Sequence, residues 1–391
     1  MAEPKRPAAG RYEPSKDSEG TINWYLPNPV GAFDSEFEPS RNLQLIIGQA
    51  HRALGKLEGL FVRAEEPDQR LILTAYLRKE AVLSSQIEGT QSSLSEVLEY
   101  ESDQARGGVN DDAAQTLNYS RALEYGIASL ESGELPICGR LIRELHSRLL
   151  SGTRGGEKDP GNYRSQGVRI GGESIYDASF VPPPPQHVPE LITDLETYIN
   201  DAASEQDPLI VAGVAHYQFE TVHPFFDGNG RVGRMLIPLI LLERGVLPTP
   251  SLYVSLYFKR NRDDYYAALQ AVRDSDDWER WLQFFMRAIV AASESVFQTT
   301  RRLEEQIKAD RSAVASLAEG RHAIVKVFEH FSSTIVSDSK LAQAQTGLSA
   351  PAAHAGINSL EDWGYLAELS GRKRNRVYGY MNYVKILQAD D

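Results

Sequence analysis

Along most of this chain the apolar residues recur at three- and four-residue spacing, the period of helices with one buried face. Such patterns dominate from Asn42 to about Glu131, as in Leu73, Tyr76, Leu77 and Ala81, with a Gly- and Asp-rich linker from Asp103 to Asp112 interrupting them. Met235 to Leu242 is a continuous apolar run suited to a buried helix. Tyr266, Leu269 and Val272, with Trp278, predict another helix with a core face, and Ser293 to Leu317 a long charged one. Gly161 to Gly172 departs from this period and reads as a short strand between turn signals. Pro182 to Pro185 fits neither helix nor central strand. Near the C-terminus, Ala323, Val327 and Phe331 predict one helix and Ser339 to Gln345 a second, followed by a turn at Thr346-Gly347. A third helix begins at Ser349, with Ala353, Ile357 and Leu360 on one face, and stops at Gly364. Leu366 to Leu369 and Val377 to Tyr380 then flank Gly371 to Arg376, a hairpin with a basic tip.

Composition narrows the class. A chain of 391 residues with 41% hydrophobic content has room for two or three domains with real cores. A net charge of −13 argues against a general polyanion binder, though not against a local basic patch. One cysteine, Cys138, excludes a disulfide framework and suits a reducing compartment. No apolar run reaches membrane-spanning length and no signal-like segment stands near the N-terminus, so a soluble cytoplasmic protein is expected. The first 20 residues hold few large apolar side chains, and a mobile tail is expected there.

The chemistry concentrates in His223-Pro224-Phe225-Phe226-Asp227-Gly228-Asn229-Gly230-Arg231-Val232-Gly233-Arg234, directly before the apolar run. Gly228, Asn229 and Gly230 allow a tight turn whose main-chain N–H groups form a concave anion site. The helix starting near Arg231 adds unpaired N–H groups and the positive end of its dipole. Arg231 and Arg234, three apart, lie on one face of the first turn, where their planar forks can grip phosphate oxygens. Asp227 suits a Mg²⁺ ion bridging two phosphates. The imidazole of His223 suits a general base at neutral pH. Each part alone has an ordinary reading as a turn, a solvated face or a loop histidine; the joint order is what points to phosphate chemistry.

This segment resembles the motif of the Fic (filamentation induced by cAMP) family, His-Pro-Phe-x-Asp/Glu-Gly-Asn-Gly-Arg-x-x-Arg, at every defined position. The resemblance implies a mainly α fold: an all-helical Fic core with a small β-hairpin flap, an N-terminal helical region and a C-terminal winged-helix domain. It implies a protein adenylyltransferase that moves AMP from ATP to a Ser, Thr or Tyr hydroxyl of a target protein, the chain itself being one candidate. His223 would deprotonate the hydroxyl and Asp227 would hold Mg²⁺. Gly228 to Arg231, with Val232 and Gly233 alongside, would cradle the phosphates, and Arg234 would take the γ-phosphate. Phe225 would anchor the loop. A homodimer is implied too.

Two further segments gain meaning from the same resemblance. Ser84-Ser85-Gln86-Ile87-Glu88-Gly89 reads on its own as a helix ending at a glycine. It also fills the Fic inhibitory motif, Ser/Thr-x-x-x-Glu-Gly/Asn, in which Ser84, Glu88 and Gly89 are the defined positions and the glutamate pairs with the second arginine, here Arg234. Arg164 to Gly171 resembles the flap, where Val168, Arg169, Ile170 and Gly171 would pin the target by strand addition and touch the nucleotide. Tyr265 and Arg273 stand at positions like those near base and ribose in relatives, while a plain core helix explains the same stretch. His216 and Glu220 read as structural. The implied divisions are a tail (1–20), an N-terminal helical region with the inhibitory motif (21–117), the catalytic core (118–290), a linker helix (291–320) and a winged-helix-like domain (321–391).

The C-terminal series admits two readings, a docking or dimer-supporting module and a DNA binder. Its hairpin tip is basic, but Ala352, Ala353 and His354 on the third helix offer little to read bases. A nucleotide-sensing DNA-binding regulator therefore stands as the rival to the enzyme. Within the enzyme reading, use of another nucleoside triphosphate such as UTP, or removal of AMP, stays open.

Overall fold

The computed structural model describes residues 9–31, 37–61, 66–103, 110–153, 156–201, 206–247 and 251–389. Residues 104–109 of the predicted linker and 1–8 of the predicted tail lie outside the described residues. The chain opens with β1 (Gly10–Lys16) and β2 (Thr21–Pro27), an antiparallel pair in register from Gly10 opposite Pro27 to Lys16 opposite Thr21. Strand β1 corrects the expectation of a mobile tail. Its residues are held by pairing and aromatic packing rather than by many apolar side chains of their own. The Asp17 carboxylate accepts the N–H groups of Glu19 and Gly20 at 2.9 and 3.0 Å to form the turn. The buried Tyr25 ring meets Tyr12 edge-on at 5.0 Å.

Helices follow in the predicted abundance: α1 (Arg41–Phe61), α2 (Glu66–Ile87), α3 (Leu94–Asp103), α4 (Asp111–Glu131), α5 (Gly139–Leu150), α6 (Val188–Asn200), α7 (Pro208–Val222), α8 (Asn229–Glu243), α9 (Ser255–Arg260), α10 (Arg262–Ser275) and α11 (Trp278–Ala318). Helix α7 is the centre, since every residue from Leu209 to Val222 is buried. A helix hydrophobic all round belongs inside a bundle, and α8 packs along it. The 41 residues of α11 span about 60 Å at the helical rise. Its first half lies in the main core through Trp281, Phe285 and Ile289, its second half in another core through Leu303, Ile307 and Val314. The boundary expected at 290/291 thus falls inside one continuous helix, and that at 117/118 falls inside α4.

Helix α2 has two buried faces. Ile72, Tyr76, Leu77, Ala81 and Ile87 enter the main core, while Leu71, Ala75 and Val82 enter the second. Polar ties reinforce both sides. Arg78 forks to Glu101 at 2.7 Å and Glu124 at 2.7 Å, and the buried Lys79 ammonium donates to the Leu387 carbonyl. That carbonyl belongs to the C-terminal series: α12 (His322–Thr334), β3 (Val336–Asp338), α13 (Ser339–Thr346), α14 (Ala350–Asp362), β4 (Leu366–Glu368), β5 (Val377–Tyr380) and α15 (Met381–Gln388). The three strands are antiparallel in the order β3-β5-β4. Three helices and a hairpin appear where the period predicts them, with Ser349 capping α14. Strand β3 and helix α15 are additions that three- and eight-residue patterns do not reveal.

Candidate functional site

The loop between α7 and α8 is built by two residues in left-handed backbone. His223 caps α7 at φ 49°, and Gly228 starts α8 at φ 77°. A non-glycine residue at positive φ is uncommon and points to function when the surroundings hold it there. Asn229 supplies one of those holds. Its amide spans the loop, accepting from the Phe225 N–H at 2.8 Å and donating to the Phe225 carbonyl at 2.9 Å. The side chain expected in a phosphate cradle is thus spent on loop shape, leaving main-chain N–H groups of the first turn to face a ligand. Asn229→Ala should lower stability by about 1–3 kcal/mol, the cost of stranding buried Phe225 groups, read as a fall in the urea midpoint.

Arg231 and Arg234 both lie buried on α8. Arg231 reaches Gln115 and Asp227 at 3.3 Å each, and its Nε has no partner among the described residues. Arg234 makes three hydrogen bonds: Nε donates to Ser84 Oγ at 2.8 Å, and Nη2 donates to the Ser84 carbonyl at 3.0 Å and to Glu88 Oε1 at 2.7 Å. Ser84 and Glu88 are brought there by the last turn of α2, which closes at Gly89 with φ 100°. Burial pushes the Glu88 carboxyl up, but Arg234, Arg231 and His223 outweigh it and hold it below its ordinary value. A Cβ on Gly230 would stand 2.2 Å from Glu88 Oε1, so the glycine makes room for this carboxylate over the loop.

His223 faces this cluster with its Nδ1 buried and unpartnered among the described residues. Burial first, then Arg164, lowers its pKa to about 4, so the imidazole is neutral at pH 7. Glu220 lies one turn earlier on α7, with Oε1 likewise unpartnered and its pKa pushed up to about 7 by burial. Orphaned atoms on His223, Arg231 and Glu220 mark a site completed by something else. Asp227 fits a metal in one way only. Its side chain is 47% exposed beside the loop, and no group of three or more His, Cys, Asp or Glu suited to a metal occurs among the described residues. One carboxylate suits Mg²⁺ that takes its other ligands from phosphate and water.

Two supports escaped the sequence reading. His146 of α5 stacks on Phe225 at 3.7 Å with rings 6° apart. Its Nδ1 accepts the Gly161 N–H at 2.9 Å, so Nε2 carries the proton and donates to the Asp227 carbonyl at 3.0 Å. Burial lowers its pKa to about 4. The unfolded chain then binds a proton on this residue between pH 6.5 and 4 that the folded chain does not. The residue's contribution to stability is complete above about pH 6.5 and falls by about 1.4 kcal/mol per pH unit below it. A His146→Gln variant should therefore lose less Tm between pH 6.5 and 4.5 than the parent. The second support is Arg164, buried before the flap. A histidine in an amphipathic helix carries no spacing signal, and Arg164 enters only as the first position of the flap resemblance, with no role of its own.

The flap is smaller than the predicted strand. Ile170 and Phe180 form one antiparallel bridge at 2.9 and 3.1 Å, with Gly171 and Gly172 at φ 70° beyond it. Val168 and Ile170 are half-buried; Arg169 and Gly171 are exposed. Strand β2 backs this stub, where the Tyr25 N–H donates to the Val181 carbonyl at 2.9 Å. On α10 the core face is set by Tyr265 rather than Tyr266, which is 39% exposed. The Tyr265 hydroxyl donates to His216 Nε2 at 2.9 Å, because His216 Nδ1 is used by the Gly233 carbonyl at 3.0 Å. Tyr265 therefore braces α8 from behind. Arg273 lies over the Phe180 ring at 3.7 Å and contacts Thr221, supporting the flap from the far side.

Comparison with known proteins agrees with this architecture. Residues 45–128 match the Fic/DOC family N-terminal model, and residues 136–241 the Fic/DOC family model. The chain is 32% identical over 179 residues to the protein adenylyltransferase fic-1 of Caenorhabditis elegans, covering 46% of this chain and 31% of that one. It is 33% identical over 204 residues to a probable protein adenylyltransferase of Aquifex aeolicus, covering 51% and 56%. It thus spans about a third to a half of the length of these relatives. A Fic family protein from Desulfovibrio desulfuricans G20 shares the fold at TM-score 0.53 and 22% identity, over 88% of this chain and 98% of that one. Two adjoining family models thus fall on the helix that carries Glu88 and the loop that carries His223, and over residues 45–128 and 136–241 the chain is similar to the Fic/DOC family.

Proposed function

We propose that this chain is a protein adenylyltransferase held at rest by Glu88. The observation that carries this reading is the 2.7 Å pair of Glu88, 36% exposed, with the buried Arg234, beside unpartnered buried atoms on His223 and Arg231. The names of the adenylyltransferase relatives support the reaction class. ATP would lay its phosphates on the first-turn amides of α8 and on Arg231, with the γ-phosphate on Arg234. A Mg²⁺ ion held by Asp227 would neutralise part of the phosphate charge. The neutral His223 imidazole takes the proton of a target hydroxyl as its oxygen bonds to the α-phosphorus. The bond from that phosphorus to the β-phosphate oxygen breaks, and pyrophosphate leaves. Positioning and charge neutralisation do most of this work. Bound phosphate charge also raises the imidazole pKa from its low resting value, bringing the base nearer the strength the step needs.

Val168 to Gly171 would present the target as an added strand, since the flap bridge leaves an edge beside the loop. The test is mass spectrometry of Glu88→Gly protein incubated with ATP, Mg²⁺ and cell lysate. An AMP adduct on a Ser, Thr or Tyr, absent when His223→Ala is added, is the expected result. No adduct on any protein would sink the reading, and an adduct formed only from UTP would change the donor.

A second activity rests on residues 371–376. Four of these six are Arg or Lys, and all six are exposed. A winged-helix-like unit with this tip would touch DNA phosphates, giving weak, salt-sensitive binding. Filter binding of duplex DNA by the full chain should weaken about 10- to 100-fold between 50 and 200 mM salt for two to four phosphate contacts. No retention at the lower salt removes this activity and leaves docking.

A further inference from the structure

Arg164 is only 2% exposed, yet no carboxylate pairs with it among the described residues. Burial alone lowers its pKa, to about 10, and it remains a cation at neutral pH. Its partners are all carbonyls. Nε donates to His223 at 2.8 Å, and Nη2 to Pro183 at 2.6 Å and Val222 at 3.2 Å. Nη1 donates to Gln166 at 3.2 Å, and the Arg164 N–H to Pro224 at 2.9 Å. Val222 and His223 are the end of α7, where unpaired carbonyls and the negative end of the helix dipole favour a cation. That explains how a lone guanidinium survives burial. It also helps keep His223 in left-handed backbone, because the Val222 and His223 carbonyls at that turn are both claimed by one rigid fork. Gln166 begins the flap and Pro183 ends it.

We propose that Arg164 is a positioning residue for the transfer: one guanidinium registers the base-bearing turn at Val222-His223 against both ends of the flap that presents the target. The proposal rests on the adenylyltransferase reading. The sequence order matters here, for Arg164 stands two residues before the flap entry and so ties its motion directly to the base. Its charge also acts on the imidazole. The groups facing His223 are Arg164 before the flap, Glu220 on α7, Glu88 on α2 and Arg273 on α10. After burial itself, the two arginines favour the neutral ring, while a hydrogen bond to the Glu220 main chain and the Glu88 charge oppose them. Lysine keeps the charge but replaces the planar fork with a single ammonium group, so the two contributions separate by substitution.

The experiment uses full-length Arg164→Lys and Arg164→Gln. The His223 ring signal, identified by its loss in His223→Ala, is titrated by NMR. In Arg164→Gln the midpoint should rise by about one pH unit, and in Arg164→Lys it should stay within about 0.3. In a Glu88→Gly background, Arg164→Lys should cut kcat at least about tenfold while KM for ATP changes less than about threefold. An unmoved midpoint in folded Arg164→Gln, or full kcat in Arg164→Lys, overturns the proposal. If Arg164→Gln does not fold, the lysine variant still decides. If the Glu88→Gly parent transfers nothing, the adenylyltransferase reading fails, while the titration still tests whether Arg164 acts on the base.

Discussion

Glu88→Gly should raise AMP transfer by about 100-fold over the parent chain, measured as initial rate at saturating ATP. The expectation follows from who holds Arg234. Its guanidinium is buried and already makes three hydrogen bonds, to Ser84 Oγ, the Ser84 carbonyl and Glu88. A γ-phosphate can gain this cation only by displacing Glu88, and it brings negative charge to a place where a carboxylate already stands. Coupling of this kind is typically worth about 1–3 kcal/mol, which corresponds to about 5- to 150-fold. The upper part of that range is expected because the cation that carboxylate and phosphate compete for is buried, Arg234 being 1% exposed, although the Glu88 side chain is 36% exposed. Removing the carboxylate leaves Arg234 with the two Ser84 contacts, so the cation stays in place for the phosphate. The predicted gain should appear mainly in kcat, since ATP can still lie on the amides and Arg231 with its phosphates misaligned.

His223→Ala in the same Glu88→Gly background should lower transfer by about 10²- to 10⁴-fold, the usual contribution of a positioned general base. ATP affinity should change less than about threefold, because on the proposed reading the phosphates would be held by α8 amides and arginines rather than by the imidazole. Isothermal titration with ATP checks the second statement independently of turnover. A large loss of ATP binding in His223→Ala would mean that the histidine shapes the cradle instead of serving as the base. The pH profile carries a further expectation. The base is neutral above its folded pKa, about 4 in the resting chain. Activity should therefore hold from pH 8 down through 7 and fall only when the nucleotide-bound imidazole begins to protonate.

Much of the site was legible because its chemistry is local. His223 to Arg234 is one loop and one helical turn, and spacing alone places the two arginines on one face. Glu88 was legible as a helix end, but its meeting with Arg234 across 146 residues followed from family likeness rather than from period. Side-chain roles were less visible. Asn229 looks like part of an anion turn in sequence, while its amide in fact clamps Phe225. Tyr265 and Tyr266 are neighbours with equal hydrophobicity, and only the packing of α10 on His216 decides which enters the core. His146 gave no signal, and Arg164 entered only as the first position of the flap resemblance, because both act on main-chain groups that a sequence does not display. The N-terminal hairpin was missed for a related reason. Residues 10–16 are polar, and their order comes from pairing with β2 and from Tyr12 against Tyr25. Helix boundaries followed the apolar period well, whereas domain boundaries at 117 and 290 cut through helices, since shared cores leave no break in periodicity.

The most direct test of a transferase checked by Glu88 is the fate of phosphorus in ATP. Glu88→Gly protein is incubated with ATP labelled at either the α- or the γ-phosphorus, and protein is separated from nucleotide. Label from the α-position should become covalently bound to protein, well above the parent chain, and label from the γ-position should leave entirely in pyrophosphate. Covalent γ-label, or equal α-labelling of parent and Glu88→Gly protein, would contradict the account.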